Sequence, residues 1–336
     1  MMIRCYISWL LVIVAYSGYS QSIRGIVIDQ DTLPVGDAFV FISNSNYGVV
    51  TEQDGTFELN ISGLEHIELT VSQINYELTI QKVALNTTDY IEIVLASRSN
   101  EVGSVELVNK YDPKIRKRRL KRFTEALLGE ESTGKKVKTL NADDILFYHD
   151  GFGIRIETNV PIRIENVYLG YLVQFHVKDF ILYDNEDLVY EGSLYFEELE
   201  LKRRDRAKAK KNRRRTYKGS SQYFMRQMIL GHDINGYTLS MGSHLNASHN
   251  EQFTPINHED LTFRYSPTDQ TYRLLIGTIL RVYDNLRETD SFLAPINSII
   301  IMDRFGNITN SSEVEEYGYW SRRRMTSQLS LDYIPN

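Results

Sequence analysis

Cysteine is almost missing from this chain: Cys5 is the only one, and it sits in an apolar stretch near the amino terminus. With that stretch removed no thiol remains, which excludes disulfides, cysteine nucleophiles and cysteine-containing metal sites. Beyond residue 20 no run reaches the roughly 18 apolar residues that a membrane-spanning helix requires. Histidine is scarce too, and none of the seven is followed three positions later by Glu. The His-x-x-Glu zinc pair of metallocarboxypeptidases is therefore absent, as is His-Glu-x-x-His. The sequence also lacks a Gly-x-Ser-x-Gly elbow, a Gly-x-Gly-x-x-Gly turn and a phosphate loop ending in Gly-Lys-Ser/Thr. These gaps turn the expectation away from enzymes, and no cofactor is expected.

What is present reads as globular and β-rich. Twenty-two Tyr and fourteen Phe accompany 24% charged residues, and aromatic rings suit pleated sheets. A length of 336 residues suits two folded units. Met1–Arg4 supplies a short basic start, Cys5–Tyr16 an apolar core, and Ser17, Gly18 and Ser20 small residues for cleavage before Gln21. Residues 1–20 thus read as a signal peptide, and the protein is expected to be exported: periplasmic, outer-membrane-associated or secreted, with no span in the mature chain.

From Ile23 to Ala96 short alternating segments separated by turns predict a seven-strand sandwich over residues 21–98. Ile23–Ile28, Ala38–Ile42, Gly48–Thr51, Thr56–Ile61, Ile67–Val71, Leu78–Val83 and Tyr90–Leu95 are the strands. Asp54-Gly55 reads as the primed turn of a hairpin joining the third to the fourth. Three segments, Gly25-Ile26-Val27-Ile28-Asp29, Leu33-Pro34-Val35-Gly36-Asp37-Ala38 and Thr51-Glu52-Gln53-Asp54-Gly55-Thr56-Phe57, occur in that order. In this the chain resembles the carboxypeptidase-regulatory-like (transthyretin-like) family. The resemblance implies an immunoglobulin- or transthyretin-like β-sandwich, a non-catalytic module. Asn75 stands where that family often has Gly before Tyr-Glu, and Asn also accepts left-handed geometry.

Residues 99–336 read as a mixed, β-rich α+β unit. A helix is predicted over about 113–128, opened by Asp112-Pro113 and stopped by Gly129. Strands follow at Gly153–Thr158, Ile162–Asn166 and Tyr168–Tyr183, then a basic helix over about 202–230 with Gly219 as a weak point, a strand over Thr271–Tyr283 and a hairpin over Ile299–Ile308. Arg118-Arg119-Leu120-Lys121-Arg122-Phe123 and Asn212-Arg213-Arg214-Arg215-Thr216-Tyr217 are similar to a companion region that follows such sandwiches in Gram-negative envelope proteins.

Charge is strongly segregated. Lys114–Arg122 holds seven cations, and Lys202–Lys218 holds eleven with Asp205 as the sole acid. Together they carry 18 of the 38 Lys and Arg, leaving 20 against 43 acidic residues elsewhere. Such separation creates surface potentials of several kT. Arg206, Lys210, Arg213, Arg214 and Lys218 are the candidate anion-binding residues. For an exported protein the expected partner is anionic lipid or glycolipid, or another envelope protein, and not nucleic acid. No metal site is expected; His232, His244, His249 and His258 are the weak candidates. They carry the competing reading, a hydrolase or metal-dependent enzyme with its site in the second unit. Ser220 and Ser221 beside the basic helix could face an anion, and Glu197-Glu198 and Glu315-Glu316 read as solvated surface.

Overall fold

The computed structural model describes residues 21–61, 66–84, 90–98, 112–129, 136–185, 187–232, 234–242, 253–331 and 333–335. The expected signal peptide lies outside them. Seven strands open the fold: β1 (Gln21–Asp29), β2 (Phe39–Ile42), β3 (Gly48–Val50), β4 (Thr56–Ile61), β5 (His66–Ser72), β6 (Thr79–Ala84) and β7 (Tyr90–Leu95). They form two sheets, β4-β1-β7, with β1 and β7 parallel, and β3-β2-β5-β6. The inward residues of both sheets, among them Val27, Val40, Phe57, Leu69 and Ile93, make one buried cluster.

The three sequence segments now have physical reasons. The Asp29 carboxylate accepts from the backbone N–H groups of Asp31 and Leu33, closing the turn after β1. Thr51 accepts from the N–H of Ala38 and donates to the carbonyl of Val35, tying the β3 exit to the strand before it. Gly25 lies directly opposite Phe57, whose ring covers it; a methyl group there would stand 2.2 Å from the Ile91 carbonyl oxygen. One expectation fails. β3 and β4 are not a hairpin pair, because β3 belongs to one sheet and β4 to the other. Gly55 alone is left-handed at the tip and its N–H bonds to the Glu52 carbonyl, so neither central residue of this turn has the positive φ of a primed turn. Asn75 is not left-handed, so the sandwich needs no special geometry there.

Helix α1 (Pro113–Leu128) follows the predicted bounds. Asp112 caps the N–H groups of Lys114 and Ile115, Pro113 fills the first turn, and left-handed Gly129 ends the helix. Next come β8 (Val137–Thr139), a 3-10 turn (Ala142–Asp144), β9 (Leu146–His149), β10 (Gly153–Glu157), β11 (Ile162–Asn166), β12 (Tyr171–Tyr183) and β13 (Leu188–Glu198). β12 spans the sheet, pairing with β13 on one edge and with β11 and then β10 on the other. It starts at Tyr171 and not at Tyr168, because residues 167–170 form a tight turn with the Gly170 N–H on the Asn166 carbonyl. A bulge between Val177 and Asp179 shifts its register. Up to Phe175 the odd positions face the core; after the bulge Phe180 and Leu182 do so, as a one-residue shift requires. Phe123, Leu127 and Leu128 of α1 complete this second cluster.

The predicted 202–230 helix is two helices, α2 (Arg203–Tyr217) and α3 (Ser221–Ile229). Ser220 breaks it, accepting from the Tyr223 N–H as the cap of α3. The remaining strands are β14 (Tyr237–Gly242), β15 (Thr254–Ile256), β16 (Thr262–Ser266), β17 (Thr271–Leu275), β18 (Ile279–Asp284), β19 (Thr289–Pro295), β20 (Ile299–Met302) and β21 (Val314–Gly318). They make sheets β15-β14-β18-β19-β21 and β16-β17-β20, which enclose a third cluster with Phe224 and Met225 of α3. The single strand expected over Thr271–Tyr283 is broken at residues 276–278, where the chain passes from one of these sheets to the other. In the hairpin after Ile299, the turn is Asp303–Gly306 and its return leg is only a bridge from Ile308 to Met302.

The clusters are joined. The Asn44 N–H bonds to the Leu194 carbonyl and the Phe196 N–H to the Ser45 carbonyl, so the sandwich docks on β13 through backbone bonds. Residues 320–331 then run across all three: Trp320 lies in the third cluster, Met325 and Leu329 in or against the second, and Leu331 against the sandwich.

Candidate functional site

The two basic runs have different fates. On α1, Arg116 donates to the carbonyls of Ala142 and Ile145 at 3.0 Å, closing the 3-10 turn. Arg122 approaches Asp184 at 3.8 Å and Lys121 pairs with Glu125. Part of this run is therefore fastening α1 to its sheet.

Helix α2 buries Ala209, Arg213, Thr216 and Tyr217; Ala209 and Arg213 meet the 167–170 turn, while Tyr217 packs edge-on against Tyr223 and Tyr333. Arg213, expected to contact an anion, is buried and committed. Its guanidinium meets both Glu198 oxygens, at 2.6 and 2.8 Å, donates to the Gly170 carbonyl at 3.1 Å, and lies 3.7 Å from the centre of the Tyr171 ring. Asn212 adds a bond to the Tyr168 carbonyl. Gly170 makes the approach possible: it is left-handed, and a methyl group there would stand 3.0 Å from Ala209 Cβ. Of the other expected residues, Arg206 and Lys210 are exposed and flank a groove of about 400 Å³ whose opposite wall includes Glu198 and Glu200. This groove is mixed in charge. Arg214 and Lys218 are exposed.

Helical geometry identifies a row of which sequence reasoning named only Lys218. At 100° per residue, Arg204, Lys211, Arg215 and Lys218 fall on one line opposite the buried stripe. All four are exposed. The arrangement is a rigidly seated helix with a ridge of cations, and the only acid on it, Asp205, approaches Lys208 at 4.0 Å.

Seven strands, two sheets and the three motif-bearing turns define the amino-terminal unit. Residues 23–108 match the family model of the CarboxypepD_reg-like domain. The match supplies a non-catalytic sandwich and covers neither α2 nor the sheets after it. No curated protein matches the chain.

The histidine candidates do not gather. His232 follows α3 and its ring lies 3.1 Å from the Gln227 side-chain oxygen; His258 is exposed on the turn before β16. His244 and His249 lie outside the described residues. Among the described residues no three metal-ligating side chains come together. Nor is any described helix long and apolar enough to cross a membrane.

Glu316 is not solvated surface. Alternation along β21 turns Val314 and Glu316 inward and Glu315 and Tyr317 outward, where the latter two bond to each other. Burial raises the Glu316 carboxyl above the usual carboxylate range, against the opposing pull of a hydrogen bond from Ser221 and the charge of Arg323. The Ser220 hydroxyl is spent on the α3 cap and the Tyr217 carbonyl. No sequence signal marked Glu316, since a Glu-Glu pair on a strand has one outward member and one inward, and only packing decides their environments.

Proposed function

We propose that this is an exported, non-enzymatic protein of the cell envelope whose region after the sandwich binds an anionic envelope component, the phosphate-bearing headgroups of lipid or glycolipid, through α2. The observation that carries the reading is the exposed row Arg204, Lys211, Arg215 and Lys218 on a helix whose opposite face is locked by Arg213. A fixed helix presents its charges without first ordering itself, which lowers the cost of association. Each cation near an anionic lipid surface contributes about 1 kcal/mol. The apolar start of the sequence supports export, and the docked sandwich supplies a stable platform.

The test uses vesicles of phosphatidylcholine with and without phosphatidylglycerol. Changing Arg204, Lys211, Arg215 and Lys218 together to Glu is expected to weaken binding to the anionic vesicles at least about a hundredfold. Equal binding by the variant overturns the reading. Cell fractionation tests export: a chain beginning at Gln21 in the envelope fraction agrees with it, and an intact chain confined to the cytosol refutes it.

A further inference from the structure

A cavity of about 360 Å³ opens where the three clusters meet. Its lining comes from segments far apart in the chain: Asn44 of the sandwich, the start of α3, the loop after β20, β21 and the 320–331 segment. Ligand sites favour such junctions, and the volume lies at the small end of the ~300–1,000 Å³ range of ligand-holding pockets.

The chemistry of the lining narrows the ligand. Glu316 points into the cavity from β21 and is reached by solvent there, although it lies deep in the protein. Among the described residues, the Asn44 and Gln222 amides and the Ser311 hydroxyl have no hydrogen-bond partner and are open to solvent, so each can both donate and accept. Trp320 and Leu329 supply apolar wall beside them. The positive end of α3 already has its anion in Glu316, which Ser221 bonds, and Arg323 is engaged with the Thr216 carbonyl at 2.8 Å. The cavity thus offers paired donors and acceptors next to apolar surface, with no cation in excess. Phosphates and carboxylates fit this poorly. A neutral ring bearing several hydroxyl groups and an apolar face fits it well.

We propose that this junction cavity is a binding site for a neutral carbohydrate unit of one or two sugar rings, held by Glu316, Gln222 and Asn44. The site is separate from the α2 ridge and does not depend on it.

The experiment measures saturation-transfer difference NMR and calorimetry on the full folded chain with glucose, N-acetylglucosamine and maltose, and with inorganic phosphate as counter-probe. At least one sugar is expected to bind saturably, and Glu316→Ala to weaken it about tenfold, the scale of a lost hydrogen bond. Gln222→Trp, which fills the cavity from a half-buried position, should abolish binding while circular dichroism and the melting temperature show a folded protein. The quadruple α2 variant should bind the sugar as the parent does. No binding of any of the three sugars, full binding by the folded Gln222→Trp variant, or displacement of the sugar by phosphate each overturns the proposal.

Discussion

The imidazole of His176 lies with its ring centre 4.7 Å from that of Phe41, across the seam between β12 and the sandwich. Phe39 flanks it at 6.0 Å, and Nε2 is buried without a hydrogen-bond partner among the described residues. Burial drives its pKa down to about 4. Nearby, the hydroxyls of Ser43, Thr70 and Ser193 close the seam at 2.6 to 3.1 Å.

The seam should therefore weaken in acid. His176 is neutral when folded and titrates near 6.5 when unfolded, so its contribution is complete above about pH 6.5 and is lost as pH falls toward 4. The full loss is about 3 kcal/mol. Urea midpoints measured at pH 7 and pH 4.5 should diverge more for the parent than for His176→Phe, which carries no titrating ring.

Arg213 and Glu198 should respond unequally. Arg213→Lys keeps the charge but loses the fork to Glu198 and the bond to the Gly170 carbonyl, and we expect a loss of about 2 kcal/mol, reduced from the fully buried case because Glu198 is largely exposed. Glu198→Gln should cost under about 1 kcal/mol, since Arg213 retains its carbonyl partners. Chemical denaturation of the two variants checks the order.

Asn166 is fully buried, accepts from the Leu169 N–H and donates to the Thr326 carbonyl. Asn166→Ala leaves both backbone groups unpaired in the interior and should cost about 2–4 kcal/mol in the same assay.

Association with anionic vesicles should fall steeply with salt, because exposed charges are screened beyond about 10 Å at 0.1 M ionic strength. Cosedimentation across a salt series reads the slope. The quadruple α2 variant should show almost none, whereas reversing Lys114, Lys117, Arg118 and Lys121 on α1 should leave most of it.

The sandwich was legible because each level agreed: alternation set the strands, and Asp29, Thr51 and Gly55 marked turns whose chemistry is local. Pairing was not local. Nothing in Gly48–Ile61 says that two strands joined by a tight turn part into opposite sheets. Likewise the apolar phase runs on through Ile276, although the chain changes sheets there. The candidate site suffered from sameness. Eleven cations on one helix look alike in sequence, and the one that turns inward, Arg213, is chosen by the left-handed Gly170 more than forty positions earlier. Glu316 had no signal at all, since its character comes from a cavity built by distant segments.

Residues 320–331 come after every element they fasten. A ribosome or a translocation channel therefore releases the three bodies before it releases their common clasp. Until then the chamber between them lacks the wall that Trp320, Arg323, Gln328, Leu329 and Leu331 supply. A ligand arriving early would find an unfinished wall, so the proposed junction site is complete only when synthesis has passed Leu331.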